Sequence, residues 1–108
     1  MAWAEANWVF VRSDVAGTST QYIDTTSIRH TGSIVRYWTK TSFVPNRDGF
    51  EQTLVLQESD CENGRLRILQ MVGYKFDGTT ISSNTLTDWM YVTPGAMGEA
   101  MHNAACQK

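Results

Sequence analysis

The chain is poor in the residues on which most enzyme chemistry depends. It has two histidines and two cysteines in 108 residues. Neither His30 nor His102 lies in a nucleophile elbow or beside a recognisable Ser or Cys partner, so no activated nucleophile is read from the sequence. Cys61 has no second Cys or His within a few positions, and His102 with Cys106 makes at most half a ligand set, which excludes a structural zinc motif. Gly32, Gly64, Gly73, Gly78 and Gly95 match no phosphate-loop spacing and read as turns, a bulge and a helix start. Basic residues are few: nine Lys and Arg against eleven Asp and Glu give a net charge of −2 and a pI near 5.5. They are scattered, which argues against nucleic acid or an anionic membrane as the main partner. The apolar runs are short, as in Trp8-Val9-Phe10-Val11, far below the ~18 residues that cross a bilayer, so no membrane span is expected.

What is present is the composition of a folded protein, with 42% hydrophobic and 19% charged residues. The length suits one core, because a second would leave each half too small. We therefore read residues 7–108 as one domain. Ala2-Trp3-Ala4 and Ala4-Glu5-Ala6 have the small-x-small form that precedes signal-peptidase cleavage, so residues 1–6 read as the tail of an export signal or as a disordered N-terminus. In an exported protein the two cysteines, Cys61 and Cys106, are expected to form one disulfide.

The apolar pattern has a period close to two, the signature of strands. Strands are expected over Asn7–Arg12, Thr20–Asp24, Ser33–Phe43, Phe50–Ser59, Arg65–Phe76 and Thr79–Ser82. Asp24-Thr25-Thr26-Ser27 marks a turn, and Pro45-Asn46-Arg47-Asp48-Gly49 joins two strands as a hairpin. Arg29-His30-Thr31-Gly32 is turn-like. Leu66, Ile68, Val72, Tyr74 and Phe76 share a parity and are expected to lay one long apolar face on the core. Asp88–Val92 is apolar on both parities and is expected to be central or covered. Thr93 as N-cap and Pro94 as first residue would open a helix running over Ala96–Cys106, with Met97, Met101, Ala104 and Ala105 on one stripe. The fold class is thus α+β, an antiparallel sheet of about six strands with a C-terminal helix packed on it and one disulfide.

Asp14, Asp24, Asp48, Asp77 and Asp88 stand mostly beside Gly, Ser or Thr, where Asp bonds the turn backbone. Glu58 and Asp60 share a strand parity and read as partners of basic side chains opposite. Arg65 and Arg67 form the one basic cluster worth naming. Together they could present two forked donors to an anionic group, or pair across strands with Glu51, Glu58 or Asp60. Tyr37 and Trp38, with Trp89 and Tyr91, could form an aromatic binding surface, or belong to the core.

The order of features is specific. Trp8-Val9-Phe10-Val11, Tyr22-Ile23-Asp24 with Ser27-Ile28, and Val35-Arg36-Tyr37-Trp38 come first. Asp60-Cys61 with Arg65-Leu66-Arg67, the turn from Tyr74 to Gly78, Trp89-Met90-Tyr91-Val92 running into Thr93-Pro94-Gly95, and a helix ending at Cys106 follow. This series resembles the surface-adhesin protein E-like domain family over nearly the whole chain. The resemblance implies an exported bacterial domain, periplasmic or secreted, with the Cys61–Cys106 disulfide. It also implies a non-enzymatic module that binds a protein or small ligand, without cofactor, through a sheet face or edge. The family's namesake is a surface lipoprotein adhesin for host matrix and plasma proteins, whereas here no cysteine lies near the N-terminus to take a lipid. The alternative is a small periplasmic enzyme or accessory subunit using Arg65, Arg67, Tyr37 and a nearby carboxylate. An open sheet of this size leaves an edge unpaired, so a homodimer is a further expectation.

Overall fold

The computed structural model describes residues 6–44, 49–84 and 86–107. Its strands are β1 (Trp8–Ser13), β2 (Ser19–Asp24), β3 (Arg29–Thr31), β4 (Ile34–Phe43), β5 (Phe50–Asp60), β6 (Arg65–Lys75), β7 (Thr80–Ser83) and β8 (Met90–Tyr91), followed by the helix α1 (Met97–Cys106). All pairs are antiparallel, in the spatial order β1-β2-β4-β5-β6-β7. β3 continues the line of β2 along β4, and β8 lies along β6 beyond β7. The expected hairpin of β4 and β5 is formed, although Pro45–Asp48 of its loop and residues 1–5 of the expected signal tail lie outside the described residues.

The break between β2 and β3 follows from Asp24. Its carboxylate accepts from the backbone N–H of Asn7 (2.9 Å) and of Thr26 (3.0 Å) and from the Thr26 hydroxyl (2.7 Å), which turns the chain. The Ser27 hydroxyl then accepts from the N–H of Trp38 at 3.0 Å, standing in for a backbone carbonyl so that the ladder on β4 resumes. Arg29-His30-Thr31 is therefore strand and not turn. Gly32 makes the tight reversal into β4 with φ of +60°, a conformation that L side chains adopt at a cost.

Three bulges set which side chains face which way. The register skips Val11 in β1, Glu51 in β5 and Leu69 in β6. The last overturns the single apolar face expected of Arg65–Phe76. Leu66 and Ile68 oppose Ser59 and Gln57, on the face that α1 covers, whereas Val72 and Tyr74 oppose Leu54 and Gln52 on the other. Farther along the helix-bearing face, Gly73 lies under the ring of Phe50, where a Cβ would stand 2.5 Å from the ring edge. Asp88–Val92 is also not central: β8 is two residues at the sheet margin, with Met90 and Tyr91 exposed. Only short pairing with the start of β6 anchors it, which is why its apolar residues find no second layer.

α1 lies across one end of the sheet. Met101 and Ala105 bury against Ile23, Val35 and Tyr37, flanked by Val9, Val11, Ile28 and Cys61. The side chain of Met97, expected on this stripe, lies outside what is described. Each large apolar side chain so buried contributes roughly 1.5–3 kcal/mol. Neither Thr93 nor Pro94 opens the helix: Ala96 is the N-cap without a side-chain bond. Instead the carboxylate of Glu99 in the first turn accepts from the N–H of Gly95 at 3.1 Å. Cys61 at the end of β5 and Cys106 at the end of α1 are bonded, with Cα atoms 5.7 Å apart. Closing a loop of 45 residues restricts the unfolded chain by about 4 kcal/mol.

Candidate functional site

Opposite the helix, the sheet has a face on which no other described element packs. Strand alternation places Ile34, Arg36, Trp38 and Lys40 of β4 there, across from Asp60, Glu58, Leu56 and Leu54 of β5. Beyond β5 come Arg65 and Arg67 of β6, opposite Asp60 and Glu58. A row of side chains thus crosses four strands: Arg29 on β3, Arg36, Glu58 and Arg67.

Glu58 is the centre of this row. Arg36 donates its Nε (3.1 Å) and Nη2 (3.0 Å) to one carboxylate oxygen, and Arg67 donates its Nε (2.9 Å) to the other, with its Nη2 ion-paired to that oxygen at 2.8 Å. In the next row Arg65 donates its Nε to Asp60 at 3.0 Å, and Asn63 donates both its backbone N–H (3.2 Å) and its amide (2.9 Å) to the same carboxylate. The indole of Trp89 stacks on both forks, with its ring 4.4 Å from the Arg67 guanidinium and 4.9 Å from that of Arg65. Burial alone would push the Glu58 carboxyl up, but the forks of Arg67 and Arg36 more than offset it and hold the pKa below the ordinary value. The Asn63 amide, with Arg65, holds Asp60 down to about 2 against the opposing effect of burial.

The two signs are layered. The carboxylate side chains are 8% and 3% exposed, those of Arg36, Arg65 and Arg67 are 54%, 36% and 30% exposed. The acids lie beneath and the guanidiniums above, so what solvent meets is positive and held in fixed orientation. Toward β1 the face becomes aromatic: the Lys40 ammonium lies over the rings of Trp8 (5.0 Å) and Tyr22 (4.9 Å), and Phe10 packs edge-on against Tyr22. A hollow of about 220 Å³ opens between Arg29, Thr31, Ile34, Arg36 and Glu58. A larger one of about 680 Å³ lies at the other end of the sheet beside Phe43, Val44 and Phe50. Its one described acid, Asp14, is committed to Thr18 and Ser19.

Of the expected site residues, Arg65 and Arg67 come together, and Trp38 shares their face two strands away. Tyr37 does not. Its parity turns it to the helix side, where it is fully buried and its hydroxyl bonds the Ser59 hydroxyl (2.7 Å) and accepts from the Gln57 amide (2.8 Å). Trp89, expected only within an aromatic surface or the core, joins the arginines here, and so do Arg29 and Arg36, for which no site role was expected. Arg36 could have been found from its parity with Trp38, but the stacking of Trp89 depends on a non-local crossing that no local pattern encodes. Among the described residues, no group of three or more His, Cys, Asp and Glu is placed to hold a metal ion. No described helix is long and apolar enough to cross a membrane.

Comparison with known proteins agrees with this architecture. A family model described as surface-adhesin protein E matches residues 8–107. The crystal structure of protein E from non-typeable Haemophilus influenzae superposes with a TM-score of 0.58 at 14% identity, covering 99% of this chain and 77% of that one. No curated protein sequence matches the chain.

Proposed function

The chain belongs to the surface-adhesin protein E family, and from that premise we propose that it is an exported, non-enzymatic binding module whose open sheet face docks a protein partner. Membership assigns it an adhesin-like binding role and an exported or cell-surface location. Within that, we read it as a periplasmic or secreted protein, which the disulfide supports because such bonds persist in oxidising compartments.

The observation that carries the reading is the open face itself. Trp38, Leu54, Leu56 and Val72 stand half-buried on it beside the layered arginines, apolar contact area next to fixed charge. Interfaces enriched in aromatic and Arg side chains are built this way. A catalytic use of Arg65 and Arg67 has less support, since Tyr37 is on the opposite face and both arginines are ion-paired, giving their Nε to Asp60 and Glu58.

Beads coated with the purified chain should adhere to surfaces coated with extracellular-matrix protein. A Trp38→Ser, Leu56→Ser variant, folded by circular dichroism, should lose that adhesion. A Met71→Ser, Ile81→Ser variant on the helix-bearing face should keep it. A folded open-face variant that adheres like the wild type would refute the proposal.

A second reading concerns self-association. Among the described residues β1 pairs on one side only, and its Val9-Phe10-Val11 run carries no charge or proline to block a further strand. We propose that two copies pair through this edge. Light scattering should then give a mass that rises toward twice the monomer with concentration, and substituting Phe10 by Lys should abolish the rise; a mass that stays monomeric up to millimolar protein counts against it.

A further inference from the structure

We infer that the hollow between Arg29 and Arg36 is a docking site for the carboxylates of an acidic peptide segment of the partner. The inference rests on the reading of the open face as a binding surface and names the chemistry that one part of it recognises.

Four guanidiniums, of Arg29, Arg36, Arg65 and Arg67, share this region with the carboxylates of Glu58 and Asp60. A chain whose overall charge is −2 therefore carries a locally positive surface. Glu58 is the one acid lining the hollow, and both its oxygens are taken by Arg36 and Arg67.

Arg29 and Arg36 are directly opposed across β3 and β4. Like charges in this position destabilise a sheet unless something neutralises them. Arg29 gives its Nη1 to the carbonyls of Thr26 (3.1 Å) and Ile28 (2.9 Å), which fixes the fork. Its Nε and Nη2, and the Nη1 of Arg36, have no partner among the described residues. Free donors on two held guanidiniums beside a hollow suit a carboxylate that spans them with its two oxygens, as Glu58 spans Arg36 and Arg67. Ile34 and Thr31 on the same lining, with Trp38 nearby on the strand, provide contact for the rest of a peptide rather than for a lone ion.

The test is fluorescence anisotropy with a labelled hexaglutamate peptide, compared with hexaglutamine and with a sulfated oligosaccharide. The wild type should bind the glutamate peptide saturably and hexaglutamine at least about tenfold more weakly, with affinity falling as ionic strength rises from about 0.05 M to about 0.3 M. Arg29→Gln with Arg36→Gln should weaken binding about tenfold or more, while Arg12→Gln with Lys75→Gln, which removes the same charge elsewhere, should change it less than about twofold. Among the described residues Arg29 forms no ion pair with a carboxylate, so Arg29→Gln alone should still cost about threefold, which guards against a double variant that fails to fold. The inference is overturned by absence of saturable binding, by equal losses in the two double variants, or by preference for the sulfated oligosaccharide. A chain that adheres to matrix protein yet ignores the glutamate peptide overturns this inference and leaves the adhesin reading intact.

Discussion

Replacing Glu58 by Gln removes the charge on which two arginines converge while keeping the size of the side chain. At neutral pH the carboxylate accepts from Arg36 and Arg67 and is 8% exposed on its side chain. A hydrogen bond to a charged group is worth roughly 1.5–3 kcal/mol. The share of Arg36 must be discounted, because its side chain is 54% exposed and water replaces the lost partner. The Gln amide also turns one N–H₂ toward a guanidinium. A net loss of about 2 kcal/mol is expected, against a total of roughly 5–15 kcal/mol for a domain of this size. Urea unfolding followed by Trp fluorescence should show the midpoint falling by about 1 M at a slope of about 2 kcal/mol per molar.

The pH dependence separates charge from packing. The folded pKa of Glu58 lies below the ordinary value, so its stabilisation is fully present above the unfolded pKa, about 4.3, and is lost as pH falls through the folded value. Gln does not titrate. The gap between wild type and variant should therefore be widest at pH 7 and close on acidification below about pH 4, while Asp60 titrates alike in both proteins and cancels. A gap under about 0.5 kcal/mol at pH 7, or one of equal size at pH 7 and at pH 2, would refute the keystone role of Glu58.

Reduction of Cys61–Cys106 should lower unfolding stability by about 4 kcal/mol, read as the difference between urea midpoints with and without reductant; a difference below about 1 kcal/mol would contradict the loop-closure argument. His102 is buried beside the disulfide, with its Nε2 3.7 Å from the Cys106 sulfur and its Nδ1 unpartnered among the described residues. Burial lowers its pKa, with Asp60 opposing. The unfolded chain thus takes up the proton first, and stability should fall as pH drops below about 6.5. His102→Gln should remove this slope between pH 7.5 and 5.5, and an unchanged slope would assign the effect elsewhere.

Much of the sheet was legible because its strands alternate cleanly. Ile34 to Thr41 announces two faces by parity, and the structure keeps both, with Val35 and Tyr37 under the helix and Arg36 and Trp38 on the open side. The pairing of Glu58 and Asp60 with arginines opposite was likewise readable from register. What parity cannot show is an inserted residue. Leu69 shifts β6 by one position, so the row from Leu66 to Phe76 divides between two faces although its spacing never changes. Pairing shorter than a turn of pattern is equally invisible: β3 has three residues and β8 two. Trp89 and Arg29 belong to the candidate site through such pieces. As a strand aromatic Tyr37 is open to either use, surface or core, and its parity, one residue from Arg36, puts it in the core on the far side of the sheet.

The covalent link between the end of β5 and the end of α1 also decides how the fold carries mechanical load. A molecule that holds a surface is pulled, and tension entering before β1 and leaving after α1 passes through β1 to β5, crosses the sulfurs of Cys61 and Cys106, and exits. The chain between the two cysteines, which holds β6, β7, β8 and the helix, is outside the force path. Those elements cannot be drawn out lengthwise while the bond stands, and the extensible part of the domain ends at Cys61. Arg29, Arg36 and Glu58 lie within the loaded segment, whereas Arg65, Arg67 and Trp89 lie within the shielded one. The loaded and the shielded halves of the arginine row thus meet at the seam between β5 and β6, and reduction of the disulfide would extend the load to every strand.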